Sequence, residues 1–154
     1  SEEALRKCRR KAEDLGLEVE CVRSDLREYE VEEEAYSVVL CAWVLNFFKA
    51  SEAGELLRKA VEGLREGGYL YVAVFSDKDP GCARAKEKFE EVEERTFFLP
   101  KYRSYVHYFT RKELEELTSS LKLVAILEGT ELDLSHDEPH YHGVLYYLGM
   151  RQEG

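Results

Sequence analysis

Three of the chain's four histidines fall within seven positions, in "HDEPHYHG" (136–143). Imidazole nitrogens grouped this tightly can ligate a metal, exchange protons with a substrate, or tie off the start of a strand. Pro139 has no N–H for a ladder, so a strand resumes after it, placing His140 and His142 on one face and Tyr141 on the other. His136, His140, His142 and Asp137 supply enough donors for an ion, provided the nitrogens converge and are supported from behind. Three other places could carry chemistry. Asp25, in "RSDL", follows a strand-like segment; a carboxylate there can accept from a base amine, or simply cap its turn. Asn46, the sole asparagine, sits in an apolar run, where it either bonds backbone or faces a reacting centre. His107 lies among Tyr102, Tyr105, Tyr108 and Phe109, aromatic faces that either wall a pocket or pack an irregular segment.

These residues need elements to position them. "SEEALRKCRRKAEDLG" has a capping Ser1, acidic residues at the positive end and Gly16 at the stop, which predicts a helix. "LEVECVR" (17–23) alternates like a strand. "YSVVLCAWVLNFF" (36–48) is apolar nearly throughout and reads as a strand buried on both faces. "SEAGELLRKAVEGLREGG" (51–68) keeps a helical rhythm through Leu64, with Ser51 as cap, and "YLYVAVF" (69–75) is a second buried strand. Strand, helix, strand of this character implies a right-handed parallel crossover. Residues 76–106 read as irregular, with a turn at "SDKDPG" and a charged stretch of helical character. "TRKE" (110–113) is a capping box, and two strands near 121–128 and 143–150 close the chain as an antiparallel pair.

At 154 residues the chain is expected to form one domain, 1–154, and its net charge of −10 opposes binding to nucleic acid. No 18-residue apolar run and no signal-peptide pattern is present, so no membrane partner is expected. Cys8, Cys21, Cys41 and Cys82 form no CxxC pair; they read as small buried hydrophobes in a reducing cytoplasm. Charged residues make up 35% of a chain with one Asn, one Gln and one Met, a balance that leans towards a thermophilic source.

The order of these segments resembles the class I S-adenosylmethionine-dependent methyltransferases, most closely the tellurite-resistance-type and thiopurine-type branch. "SEEALRKCRRKAEDLGLEVECVRSDLREY" resembles the helix after the second strand, then the third strand and its acidic turn. "YSVVLCAWVLNFF" resembles the fourth strand, and "LLRKAVEGLREGGYLYVAVFS" the helix and fifth strand. "VHYFTRKELEEL" and "EPHYHGVLYYLGMR" resemble the substrate region and closing strands. The resemblance implies an α/β, Rossmann-like methyltransferase fold, with parallel strands and a C-terminal antiparallel pair. The family's Gly-rich turn and the acidic residue ending its second strand have no counterpart, and the sole methionine is Met150. The chain is therefore read as N-terminally truncated, the last three-quarters of such a fold.

The implied cofactor is S-adenosylmethionine and the implied activity is methyl transfer to a small-molecule acceptor. The resemblance assigns Asp25 and the Leu26 amide to the adenine, and Ala42, Trp43 and Val44 to the wall beside it. It places Asn46, His107, Tyr108, Phe109, His140 and His142 on the acceptor side. That branch does not depend on a metal, so no metal is expected at the histidines. The rival reading is a non-catalytic fragment or subunit acting through a partner. With the family's first strand missing, the edge near 36–42 is expected to meet a second copy or partner chain, or to pair with 17–23.

Overall fold

The computed structural model describes residues 1–135 and 138–152, so His136 and Asp137 lie outside the described residues. The chain divides into two compact units, Ser1–Glu30 and Val31–Gly154.

In the first unit, helix α1 (Glu2–Asp14) starts as its sequence dictates: the Ser1 hydroxyl accepts the Ala4 N–H at 3.2 Å. It stops at Gly16, held at φ +64°, where the Gly16 N–H reaches the Glu13 carbonyl and the Leu17 N–H the Ala12 carbonyl. This double closure needs a left-handed residue, which glycine adopts without a Cβ penalty. The expected strand at 17–23 does not form. Alternating side chains make a strand only when neighbouring backbone completes the ladder. Here the Cys21 carbonyl instead takes the Arg9 guanidinium at 3.2 Å.

In the second unit, β1 (Tyr36–Ala42), α2 (Ala50–Glu62) and β2 (Leu64–Phe75) form the expected parallel crossover, with register from Val38↔Tyr69 to Ala42↔Ala73. Two details differ. Leu64, counted as helical by its rhythm, leaves the helix and pairs with Tyr36 across a bulge. Ser51 does not cap α2: Glu52 accepts the Lys49 N–H at 3.1 Å, while the Ser51 N–H and hydroxyl both donate to Glu93.

The stretch expected to be irregular is ordered. It holds α3 (Pro80–Lys88) and a three-stranded antiparallel sheet, β3 (Glu91–Glu93), β4 (Thr96–Leu99) and β5 (Ser104–His107). These strands are three or four residues long, too short to show a period. The β4–β5 turn runs through Arg103 at φ +48°, a position that carries none of the usual glycine signal. Helix α4 (Arg111–Leu117) opens with the predicted box, the Thr110 hydroxyl accepting the Glu113 N–H at 3.0 Å. Strands β6 (Lys122–Asp133) and β7 (His140–Met150) form the closing antiparallel pair.

The main sheet runs β1-β2-β7-β6, with β7 antiparallel to β2 from Tyr69↔Met150 to Phe75↔Val144. Its buried face, Leu70, Val72, Val74, Leu145 and Tyr147, belongs to one core with Ala53 and Leu57 of α2 and Leu114 of α4. On the opposite face Ala73 and Val144 are buried as well. Val39 and Cys41 of β1 pack on the core, whereas Val38 and Leu40 are 53% and 68% exposed, so β1 is not buried on both faces as expected. Among the described residues β1 pairs with β2 alone, and the anticipated pairing with 17–23 is not made.

All four cysteines are free, with Cys8 exposed and the others half-buried, so the expectation of four buried cysteines fails. Cys41 comes nearest to it: burial pushes its thiol up to about 11, leaving it protonated and unreactive.

Candidate functional site

Strands β1 and β2 point their carboxyl ends the same way, and in α/β sheets that end is where ligands bind. Trp43 follows β1 and Phe75 closes β2. Together with Phe47 and Val144 they form the apolar wall of a cavity of about 620 Å³. Its polar lining comes from Glu131 and Asp133 of β6, Ser135, and His142 of β7.

Trp43 sits at φ +56°, a left-handed conformation that costs a large side chain free energy and is tolerated where the surroundings enforce it. Its N–H donates to the Ala73 carbonyl at 2.9 Å, and its ring lies 5.3 Å from Phe75 and edge-on to Tyr146 at 5.8 Å. The Tyr146 hydroxyl donates to Glu131 at 2.5 Å, so burial and that carboxylate push its ionisation far up and keep it a donor.

His142 is the best-supported polar group. Its ring stacks on Phe75 at 4.7 Å, and its Nδ1 lies 2.8 Å from Asp79 Oδ2. Asp79 is almost fully buried and caps α3. It also accepts the Gly81 N–H at 2.6 Å and the Gly143 N–H at 3.0 Å. Three nitrogens thus converge on one buried carboxyl group. His140, on the same face of β7, places its Nε2 3.0 Å from that of His142.

Of the residues assigned from sequence, Trp43 and His142 line one cavity. Ala42 ends β1 and Val44 packs against the core. Asn46, His107 and Phe109 are 0% exposed and Tyr108 nearly so; none of the four lines this cavity. The structure gives them packing and backbone bonds. The Asn46 amide donates to the His107 and Phe75 carbonyls at 2.6 and 3.3 Å and accepts the Phe75 N–H at 3.0 Å. His107 bridges Thr96 Oγ1 and Glu113 Oε1, each at 2.9 Å.

Asp25 and Leu26 belong to the first unit. Asp25 turns the chain there, its carbonyl accepting the Glu28 and Tyr29 N–H groups. A bidentate hydrogen bond from Arg27 holds its carboxyl down at about 2. Leu26 is exposed.

Sequence reasoning passed over Asp79, Glu131 and Asp133. Asp79 had a legible signal, because Asp-Pro-Gly marks a helix N-terminus with Pro at its first position. The two β6 acids had none, since only the β6–β7 register brings Glu131 beside His142 and Asp133 beside His140.

Glu113 supports a pH prediction. Burial raises its pKa, but hydrogen bonds from His107, Arg95 and the Thr110 N–H outweigh burial and leave it below the usual value. A depressed carboxyl stabilises the fold above its unfolded pKa of about 4.3, and the contribution is lost as pH falls through the lower folded value. Glu113→Gln is expected to cost about 2 kcal/mol at pH 7, a charged hydrogen bond's worth, and correspondingly less at about pH 3. Denaturant melts of both proteins at the two pH values check this; a cost that is the same at both would contradict it.

The family model described as "Methyltransferase domain" matches residues 1–68. No functionally curated protein matches the sequence. A SAM-dependent methyltransferase structure from Methanosarcina mazei superposes with a TM-score of 0.77 at 15% identity, covering 100% of this chain and 80% of that one. TehB from Haemophilus influenzae superposes at 0.73 and 15% identity, covering 99% of this chain and 48% of TehB. The N-methyltransferase NodS from Bradyrhizobium japonicum, in complex with S-adenosyl-L-homocysteine, reaches 0.54 at 17% identity, over 84% of this chain and 53% of NodS. No helix among the described residues is long and apolar enough to cross a membrane. With residues 1–68 matching the methyltransferase-domain family, the chain has the α/β Rossmann-like fold of the class I S-adenosylmethionine-dependent methyltransferases.

Proposed function

We propose that the protein transfers a methyl group from S-adenosylmethionine to a small-molecule acceptor, in the manner of the tellurite-resistance-type and thiopurine-type enzymes. The observation that carries the reading is the cavity at the carboxyl ends of β1 and β2, lined by the aromatic Trp43, Phe47 and Phe75 and by the acidic Glu131 and Asp133. The residues present fit a sulfonium. The faces of Trp43 and Phe75 attract a cation through their ring quadrupoles, and Glu131, held by Tyr146, adds a negative charge. When bound, the cofactor supplies an electrophilic methyl group for in-line displacement.

What the chain must add is alignment and exclusion of water. Trp43, Phe75 and Val144 exclude water from one side. His142, oriented by Asp79 and stacked on Phe75, holds a fixed place in the cavity's lining. Asp25 of the first unit, taken by itself, offers a carboxylate that can accept from a base amine.

Calorimetry with S-adenosylmethionine and S-adenosylhomocysteine tests the reading. Trp43→Ala is expected to lose at least about tenfold in affinity, the equivalent of one cation–π contact with its packing. Binding of either compound that is identical in Trp43→Ala and Asp25→Ala would remove the assignment.

A further inference from the structure

The two histidines of β7 bring their rings edge to face, with centroids 4.7 Å apart. His142 Nδ1 lies 2.8 Å from Asp79 Oδ2, and His140 Nδ1 lies 2.8 Å from the Glu138 carbonyl. A carboxylate and a carbonyl can only accept, so both Nδ1 atoms carry hydrogen. In an imidazole protonated at Nδ1, Nε2 holds the lone pair. The two Nε2 atoms are 3.0 Å apart, and Asp133 Oδ2 lies 3.7 Å from that of His142. Two imidazole nitrogens and a carboxylate oxygen that converge in this way make up a donor set for a cation.

We propose that His140 Nε2, His142 Nε2 and the Asp133 carboxylate bind a first-row divalent transition-metal ion, such as zinc. The three donor atoms lie within 4.8 Å of one another. Metal–nitrogen bonds of 2.0–2.1 Å place neighbouring ligand nitrogens roughly 2.9–3.4 Å apart, the spacing the pair shows. Two imidazoles and one carboxylate favour zinc, cobalt, nickel or copper over magnesium and calcium, which prefer oxygen donors alone.

The support behind the ligands is built as metal sites require. Asp79 fixes the His142 tautomer, and is itself fixed by the Gly81 and Gly143 N–H groups at the start of α3. The Glu138 carbonyl does the same for His140, and Phe75 holds the His142 ring by stacking. Asp133 is oriented through its other oxygen, which accepts the Ser135 N–H at 2.7 Å and hydroxyl at 2.6 Å. Asp133 and His142 also line the cavity, so the remaining coordination positions open towards a ligand there. Three protein ligands with an open position is the arrangement of reactive rather than structural zinc sites. The resemblance read from sequence implied no metal; the tautomers imposed by Asp79 and Glu138 point the other way.

The test uses the full chain, purified without a histidine tag and dialysed against chelator, with zinc and cobalt(II) as probes. Calorimetry is expected to give one zinc per chain with a dissociation constant on the order of 1 µM or tighter. Cobalt(II) is expected to develop visible d–d bands at the same stoichiometry. His140→Ala and His142→Ala should each weaken binding at least tenfold, and Asp79→Asn, which touches no ion, roughly 10–100-fold. Far-UV circular dichroism of the metal-free proteins, with His140→Gln as a second variant at the half-exposed ligand, separates lost ligation from lost folding. Absence of saturable one-to-one binding would overturn the proposal, leaving a shared proton as the cation between the rings. Binding that survives in the His140→Ala/His142→Ala double variant would overturn it as well. Cofactor calorimetry on the same variants keeps this outcome separate from that of the methyl-transfer reading.

Discussion

Asn46→Ala is expected to lower stability by about 3–4 kcal/mol. The side chain is 0% exposed and makes three bonds: to the His107 and Phe75 carbonyls, and from the Phe75 N–H. Truncation leaves the His107 carbonyl and the Phe75 N–H without that partner, while the Phe75 carbonyl keeps the Phe109 N–H at 3.0 Å. Each orphaned group costs about 1–3 kcal/mol, and partial relaxation keeps the sum below the maximum. These bonds tie the turn after β1 to the ends of β2 and β5, so the variant would also slacken the wall on which Trp43 sits. Thermal melting checks the claim, with an expected fall in Tm of roughly 10 °C at about 2–4 °C per kcal/mol for a chain this size. Had Asn46 faced the acceptor instead, its loss would alter turnover and leave Tm in place. An unchanged Tm would therefore refute the structural role.

Gly143→Ala is expected to cost about 3 kcal/mol, the upper end for overpacking, and to dismantle the polar wall of the cavity. A Cβ at Gly143 would lie 2.4 Å from the Asp79 nitrogen and 2.6 Å from the Lys78 carbonyl carbon. Both are backbone atoms, so no side-chain rotation relieves the overlap. The turn at 76–79 must move away from β7. That movement breaks the Ser76 N–H bond to the Gly143 carbonyl and separates Asp79 from His142. Stability and ligand binding should fall together in Gly143→Ala. In Asp79→Asn the binding loss should dominate, since the backbone approach is preserved. A Gly143→Ala protein with wild-type stability would show that the close approach is not obligatory.

Local rules were legible wherever one segment could satisfy itself. Ser1 and Gly16 bound α1, Thr110 and Glu113 open α4, and the apolar run at 36–42 followed by a periodic helix and a second apolar run specifies the parallel crossover. The failures have physical reasons. The alternation at 17–23 is genuine, but a ladder belongs to two segments and the sequence shows only one. The rhythm that carried Leu64 into a helix could not register that pairing with Tyr36 would take it for β2. The short strands of 91–107 have no measurable period, and their turns use arginines in left-handed conformations in place of glycine.

For the site, the sequence alone determined that two histidines share one face of a strand after Pro139, and that Trp43 follows a strand's carboxyl end. It could not say which of the polar residues in apolar surroundings were working groups. Asn46 and His107 each had two readings open, and tertiary packing seals them at 0% exposure with their polar atoms bonded to backbone, Thr96 and Glu113. Asp79 looked like turn punctuation, and the approach of that turn to Gly143 makes it the group that sets the His142 tautomer. Asp133 carried no signal of its own, and the pairing of β6 with β7 sets it beside the histidines. A residue's type and spacing state what chemistry it can do. Which atoms face it, and whether water reaches it, depends on contacts between segments far apart in the chain, and those exist only once the sheet has closed.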